Sequence, residues 1–249
     1  MISHSSIAIN SDLLKIAEAY EDMNSNTSVD AEFSTKVLNS MRYFKERVDY
    51  CNKSLKYLGR GTSRMAFLMP NGHVLKLAFN SKGIAQNEAE CGDWYKNGLR
   101  CFPDVFDVAD DYTWCEVESA SKCRKSDFPR LLGMTFEELC DLLVKLTRDR
   151  GTGREFQYRH FNTSDERLNE LEQEMWDDED NHPTLVDLND YIGNYGANEY
   201  LVNDLFAIRN WGIVNRDGEE QLVVTDSGLT EDVWKGHYDP QRGARRRFY

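Results

Sequence analysis

One lysine constrains this chain more than any other residue. Lys76 stands inside His73–Phe79 (HVLKLAF), an otherwise apolar run of strand composition. An ammonium in such a run is costly unless an anion meets it, so the fold must bring one there. Before it, Lys56–Gly59 reads as a short strand and Met65–Met69 as a second. Pro70-Asn71-Gly72 is the expected hairpin turn, because Asn-Gly supplies the positive φ values such turns use. Between the first two strands lies Gly59-Arg60-Gly61-Thr62-Ser63-Arg64, a turn rich in backbone amides. A helix is expected after Lys82, with Ile84, Glu88, Cys91 and Tyr95 on one face and Asn97-Gly98 at its end. Glu88 is therefore the anion expected to meet Lys76.

The segments on either side extend this unit. Residues 1–50 carry two helical patterns, Ser11–Met23 and Ala31–Cys51, the second with Phe33, Val37, Leu38, Met41, Phe44 and Val48 at three- and four-residue steps. They are expected to form a helical arm that packs on the following unit or on a partner. Phe102–Val108 and Tyr112–Ser119 read as two further strands. Ser121–Phe128 reads as a polar connector, and Thr135–Leu146 as a helix with a capping box between Thr135 and Glu138.

The remainder is less regular. In residues 148–182 a basic, aromatic half precedes an acidic one, with a helix expected over Ser164–Trp176 and a solvated acidic loop at Asp177–Asp180. Leu185–Ile192 and Glu199–Phe206 are apolar-periodic. Then comes DLFAIRNWGIVNRDGEEQLVVTDSGL. Trp211–Val214 and Gln221–Thr225 read as strands joined at Asn215–Gly218. Asp204 precedes this hairpin in a loop, Asn210 opens it, and Asp226-Ser227-Gly228 follows it. Mg²⁺ takes hard oxygen ligands and keeps several waters, so Asp226 and Asn210 suit it as ligands. Asp204 suits a general base.

Composition narrows the partners. Net charge is −13, which argues against a general nucleic-acid or anionic-membrane binder. No run approaches the roughly 18 apolar residues of a membrane span, and the N-terminus lacks the pattern of a secretory signal. Six cysteines without C-x-x-C spacing suggest reduced, buried thiols of a cytoplasmic protein and argue against zinc. Arg242, Arg245, Arg246 and Arg247 form a basic tail that is either solvated or a docking element.

Two segments, GRGTSRMAFLMPNGHVLKLAFNSKGIAQNEAE and NDLFAIRNWGIVNRDGEEQLVVTDSGLTEDV, resemble the protein-kinase-like superfamily, which includes aminoglycoside phosphotransferases. More narrowly, the chain resembles small kinase-like proteins of bacteriophages and bacterial genomes. The resemblance implies an α+β bilobal fold: an N-terminal helical arm (1–52), an antiparallel-sheet lobe (53–120) and a reduced helical lobe (121–249) with a variable insert at 148–182. It implies ATP and Mg²⁺ as cofactors, with nucleotide contacts at Gly59, Gly61, Ser63 and Lys76, and adenine meeting backbone near Glu118. It implies a Lys76–Glu88 pair, a catalytic base at Asp204, and metal ligands at Asn210 and Asp226. The expected activity is phosphoryl transfer to an unknown protein or small-molecule acceptor. The alternative is a catalytically inactive structural or host-interaction protein, in host cytoplasm or a phage particle. An adenylyl-transferring relative would use the same carboxylates. The departures are specific. Arg64 replaces the third glycine, Val202-Asn203 precedes Asp204, and the Asp204–Asn210 spacing is one residue longer than usual. Only Leu229–Tyr249 follow Gly228, from which no ordinary peptide-substrate lobe is expected.

Overall fold

The computed structural model describes residues 33–92, 98–149, 163–177, 183–194 and 202–238. The expected helix Ser11–Met23, the Arg-rich tail, and most of the basic half of the 148–182 segment lie outside these residues. The described chain is mixed α+β, built on a five-stranded antiparallel sheet with several helices and a separate three-stranded sheet.

Two helices lead in, α1 (Thr35–Ser40) and α2 (Phe44–Ser54). A single helix over Ala31–Cys51 was expected. The chain instead breaks after Ser40, where Met41 is extended (φ −81°, ψ 132°). It restarts when the Tyr43 N–H donates to Glu46 (3.2 Å), satisfying an amide that has no helical partner. Strands β1 (Lys56–Arg60), β2 (Arg64–Leu68) and β3 (Val74–Ala78) follow, then helix α3 (Ser81–Cys91), β4 (Val105–Val108) and β5 (Trp114–Val117). The sheet order is β1-β2-β3-β5-β4. The β2–β3 turn is the expected one, although only Gly72 takes a positive φ (87°).

Register decides what each face of the sheet carries. Met65 pairs with Leu77 and Phe67 with Leu75. These four side chains are buried with Leu38, Cys51 and Trp114 in one apolar core under α1 and α2. On the other face Arg64 pairs with Ala78 and Ala66 with Lys76. The two long cationic side chains therefore sit diagonally on one face, each opposite an alanine that leaves it room. Helix α3 covers this face. Asn80 caps it by accepting the Gly83 N–H (3.1 Å). Its buried residues are Gly83, Gln86, Asn87, Glu90 and Cys91, and Glu88 points to solvent. The helix stops at Cys91, before Asn97-Gly98.

A second core lies among α4 (Asp127–Leu132), α5 (Phe136–Asp149), α6 (Asp165–Asp177), α7 (Pro183–Asn194) and a hairpin of β7 (Trp211–Arg216) and β8 (Glu219–Val224). The capping box forms as expected: Thr135 N–H donates to Glu138 (2.7 Å) and Glu138 N–H to the Thr135 hydroxyl (3.1 Å). Ser164 caps α6. The β7–β8 turn has both central residues, Asp217 and Gly218, at positive φ (55° and 87°), matching the natural twist of a two-residue hairpin. The expected connector Ser121–Phe128 includes a short strand, β6 (Ser121–Lys122), that pairs with β7. All six cysteines are buried. Among the described residues no helix is long and apolar enough to cross a membrane.

Candidate functional site

A cavity of about 490 Å³ opens where the β1–β2 turn, β3, α3 and the ends of the β7–β8 hairpin meet. Gly59, Gly61, Ser63, Arg64, Lys76, Gln86, Asn210 and Asp226 line it, together with Arg209 and Thr225. Sequence positions from the two resembling segments thus share one space.

Lys76 has its anion, but it is Glu90 rather than the expected Glu88. The Lys76 ammonium donates to Glu90 and to the Thr225 carbonyl (2.6 Å). Glu90 also accepts from Arg64 Nη1 (2.6 Å). Burial alone would raise the Glu90 pKa. Arg64 and Lys76 more than offset it and hold the carboxyl at about 2, so it is ionised at neutral pH. Glu88 fell two residues off because the buried face of α3 is mostly polar, and apolar spacing does not report it.

Arg64 ties the site together. Its Nη1 also donates to Asn87 Oδ1 (3.2 Å), and its Nη2 donates to Asp226 Oδ1 (2.6 Å). Burial lowers its pKa, but Glu90 and then Asp226 outweigh that and raise it. Asn87, fully buried, donates to the Tyr112 carbonyl (2.9 Å) and so fixes α3 to the turn between β4 and β5. Sequence reasoning saw Arg64 only as a missing glycine. Counting back across the hairpin from Gly72 would have placed it on the face of Lys76.

The glycine turn is held by its own neighbours. The Gly61 N–H donates to the Arg64 carbonyl (2.8 Å) and the Phe79 N–H to the Ser63 carbonyl (3.1 Å). The Ser63 hydroxyl donates to Gln86 Oε1, so its side chain is already engaged. Neither Gly59 nor Gly61 has a positive φ, and a Cβ at Gly59 would meet nothing within 4 Å. Glycine is therefore not demanded there by the surrounding protein. Gly228 is demanded: a Cβ would stand 2.5 Å from the Gln86 carbonyl. Its role is close approach to α3 rather than freedom of the turn that carries Asp226.

The longer Asp204–Asn210 spacing is absorbed by two consecutive 3₁₀ turns, Val202–Phe206 and Ile208–Asn210. The Ala207 N–H donates to Asp204 O (3.2 Å) and the Asn210 N–H to Ala207 O (2.8 Å). Trp211 Nε1 donates to Leu205 O (2.8 Å), and Asn210 Nδ2 donates to Asp204 O (2.9 Å). With its nitrogen committed, the Asn210 amide has its oxygen end for a ligand. Thr225 N–H and hydroxyl both reach the Asn210 carbonyl (2.8 and 3.1 Å), joining this loop to the strand end before Asp226. Asp204 lies outside the cavity lining but feels Asp226: burial first and then that carboxylate raise its pKa to about 6, against a lowering by Arg209.

Glu118 is not part of this cavity. Its carboxylate pairs with Arg216 (2.5 Å), and its N–H donates to Asp104 O (2.8 Å). Beyond Gly228 a helical turn (Glu231–Val233) and a π turn (Trp234–Tyr238) bring Tyr238 to the glycine turn, its hydroxyl 3.4 Å from Thr62 Oγ1 and its ring under Lys82.

Among the described residues no three His, Cys, Asp or Glu side chains form a metal-binding group by themselves. The donor set fits Mg²⁺ only in the form that uses one carboxylate, one amide oxygen and oxygens of a bound phosphate. No family model matches the chain, and no curated protein is significantly similar to it.

Proposed function

We propose that this chain is a kinase-like protein that binds ATP with Mg²⁺ and transfers a phosphoryl group to an acceptor hydroxyl. One observation carries the reading: Lys76, held from behind by the buried carboxylate of Glu90, lines one cavity of about 490 Å³ together with the glycine turn, Asn210 and Asp226. A strand lysine paired to a helix glutamate, beside a glycine turn and an Asp-x-Gly segment, is the set that phosphoryl transfer needs for positioning and charge. Lys76, fixed between Glu90 and the Thr225 carbonyl, presents a point charge to phosphate oxygens. Gly59 and Gly61 let phosphate approach backbone. Asp226 and Asn210 would hold Mg²⁺, which when bound neutralises phosphate charge. Asp204, with a pKa of about 6, accepts a proton from the acceptor hydroxyl near neutral pH.

The ion pair between Arg64 and Asp226 favours a second reading. A carboxylate already satisfied by a buried arginine suits a kinase-like scaffold that has lost catalysis. The two readings separate by transfer. Incubation with γ-labelled ATP and Mg²⁺, scoring self-labelling and phosphate release, should give turnover that Asp204→Asn abolishes with nucleotide binding retained. Binding without turnover in the parent protein would leave the scaffold, and no binding at millimolar ATP would refute the nucleotide reading.

A further inference from the structure

We propose that Arg64 is a positioning residue that competes with Mg²⁺ for Asp226 and so sets how much metal the site requires. The inference rests on the nucleotide reading above and goes beyond it by naming a control within the site.

The two ends of the Arg64 guanidinium are held unequally. Nη1 is bound to Glu90 (2.6 Å) and Asn87 (3.2 Å), which are 6% and 0% exposed. Nη2 is bound to Asp226 (2.6 Å), whose side chain is 48% exposed and lies at the cavity wall. The Glu90 end is an anchor and the Asp226 end can let go. Charges balance in this arrangement, with Arg64 and Lys76 against Glu90 and Asp226. A dication on Asp226 would stand against the guanidinium on the same carboxylate, and like charges a few ångströms apart repel even where water reaches one of them. Metal binding therefore displaces Nη2 from Asp226. The freed donor stays anchored at Glu90, beside Lys76 on the same sheet face, where phosphate oxygens would meet it. Arg64 thus opposes metal alone and favours metal together with nucleotide.

The test is a titration of ATP binding against free Mg²⁺, read by calorimetry on the full chain. Arg64→Met removes the competitor and keeps much of the side-chain length. Its Mg²⁺ midpoint should fall about tenfold, while ATP affinity at saturating Mg²⁺ falls several-fold because the phosphate donor is gone. Arg64→Lys keeps a buried cation beside Glu90 but cannot span both carboxylates. It carries the test if the methionine variant does not fold, and its midpoint should also drop by at least threefold. A midpoint unchanged within twofold in the folded variants, or wild-type binding that is equal in EDTA, overturns the proposal while leaving nucleotide binding intact. Absence of wild-type ATP binding at every Mg²⁺ concentration overturns the nucleotide reading, and this proposal with it.

Discussion

Removing the Glu90 carboxylate should be far more damaging than removing that of Glu88, although the two stand only two residues apart on one helix. Glu90 is 6% exposed and is the shared partner of Lys76 and Arg64. Glu90→Ala leaves two cations facing each other in a poorly hydrated space. Breaking a buried ion pair by deleting one partner typically costs about 3–5 kcal/mol. For a chain of this size each kcal/mol moves Tm by roughly 2–4 °C, so the loss should exceed about 6 °C. Glu88 is exposed, and Glu88→Ala should stay within about 0.5 kcal/mol of the parent. Urea unfolding of both variants measures the difference directly. The pH dependence gives a second check. The Glu90 pKa is lowered from its ordinary 4.5 to about 2, so its contribution is present above pH 4.5 and is lost as pH falls toward 2. The alanine variant should lack that acid-sensitive component. A cost under 1 kcal/mol for Glu90→Ala, or an equal cost at Glu88, would refute the assignment of Glu90 as the anion of this site.

Three further outcomes follow from the same geometry. Asp204 has a pKa raised from 3.8 to about 6, so its protonation stabilises the fold fully below pH 3.8 and that stabilisation is lost as pH rises through 6; discounting for partial exposure, Asp204→Asn should be about 1–2 kcal/mol more stable than the parent at pH 8, measured by denaturant midpoints across pH. Gly83→Ala would press a methyl into the Ser63 carbonyl and to 2.9 Å from the Ala78 Cβ, which should cost about 1–3 kcal/mol and weaken nucleotide binding as α3 is pushed from the glycine turn. Arg216 joins the β7–β8 hairpin to Glu118 and to the carbonyls of Arg100 (3.0 Å) and Phe102 (2.8 Å); Arg216→Ala should cost roughly 3 kcal/mol in thermal unfolding by leaving Glu118 without its cation.

Where the sequence was readable, a local rule decided the outcome. Asn71-Gly72 and Asp217-Gly218 turn, Thr135 and Glu138 cap, and the apolar alternation of β2 and β3 sets their buried face. These signals lie within a few residues of what they control. The site was harder because its organising contacts are long-range and polar. Arg64 meets Asp226 across 162 positions, and the buried stripe of α3 is Gln86, Asn87 and Glu90 rather than a run of apolar residues. Hydrophobic periodicity assigns such residues to solvent and so picked Glu88. The backbone near Glu118 was placed by element order alone, and order does not report the side chain's partner, Arg216, 98 positions away. The break at Met41 between α1 and α2 falls within an apolar pattern that continues across it, so periodicity did not mark it.

The most direct test of the central claim is a thermal-shift titration with ATP and Mg²⁺ on the parent chain, Lys76→Ala and Asp226→Ala. Both side chains line the cavity. A ligand at 100 times its dissociation constant adds about 2.7 kcal/mol, or roughly 5–11 °C for a chain of this size. The expected result is a magnesium-dependent rise in the parent that both substitutions abolish. An unchanged Tm in the parent at millimolar ATP, or an equal rise in all three proteins, would contradict it.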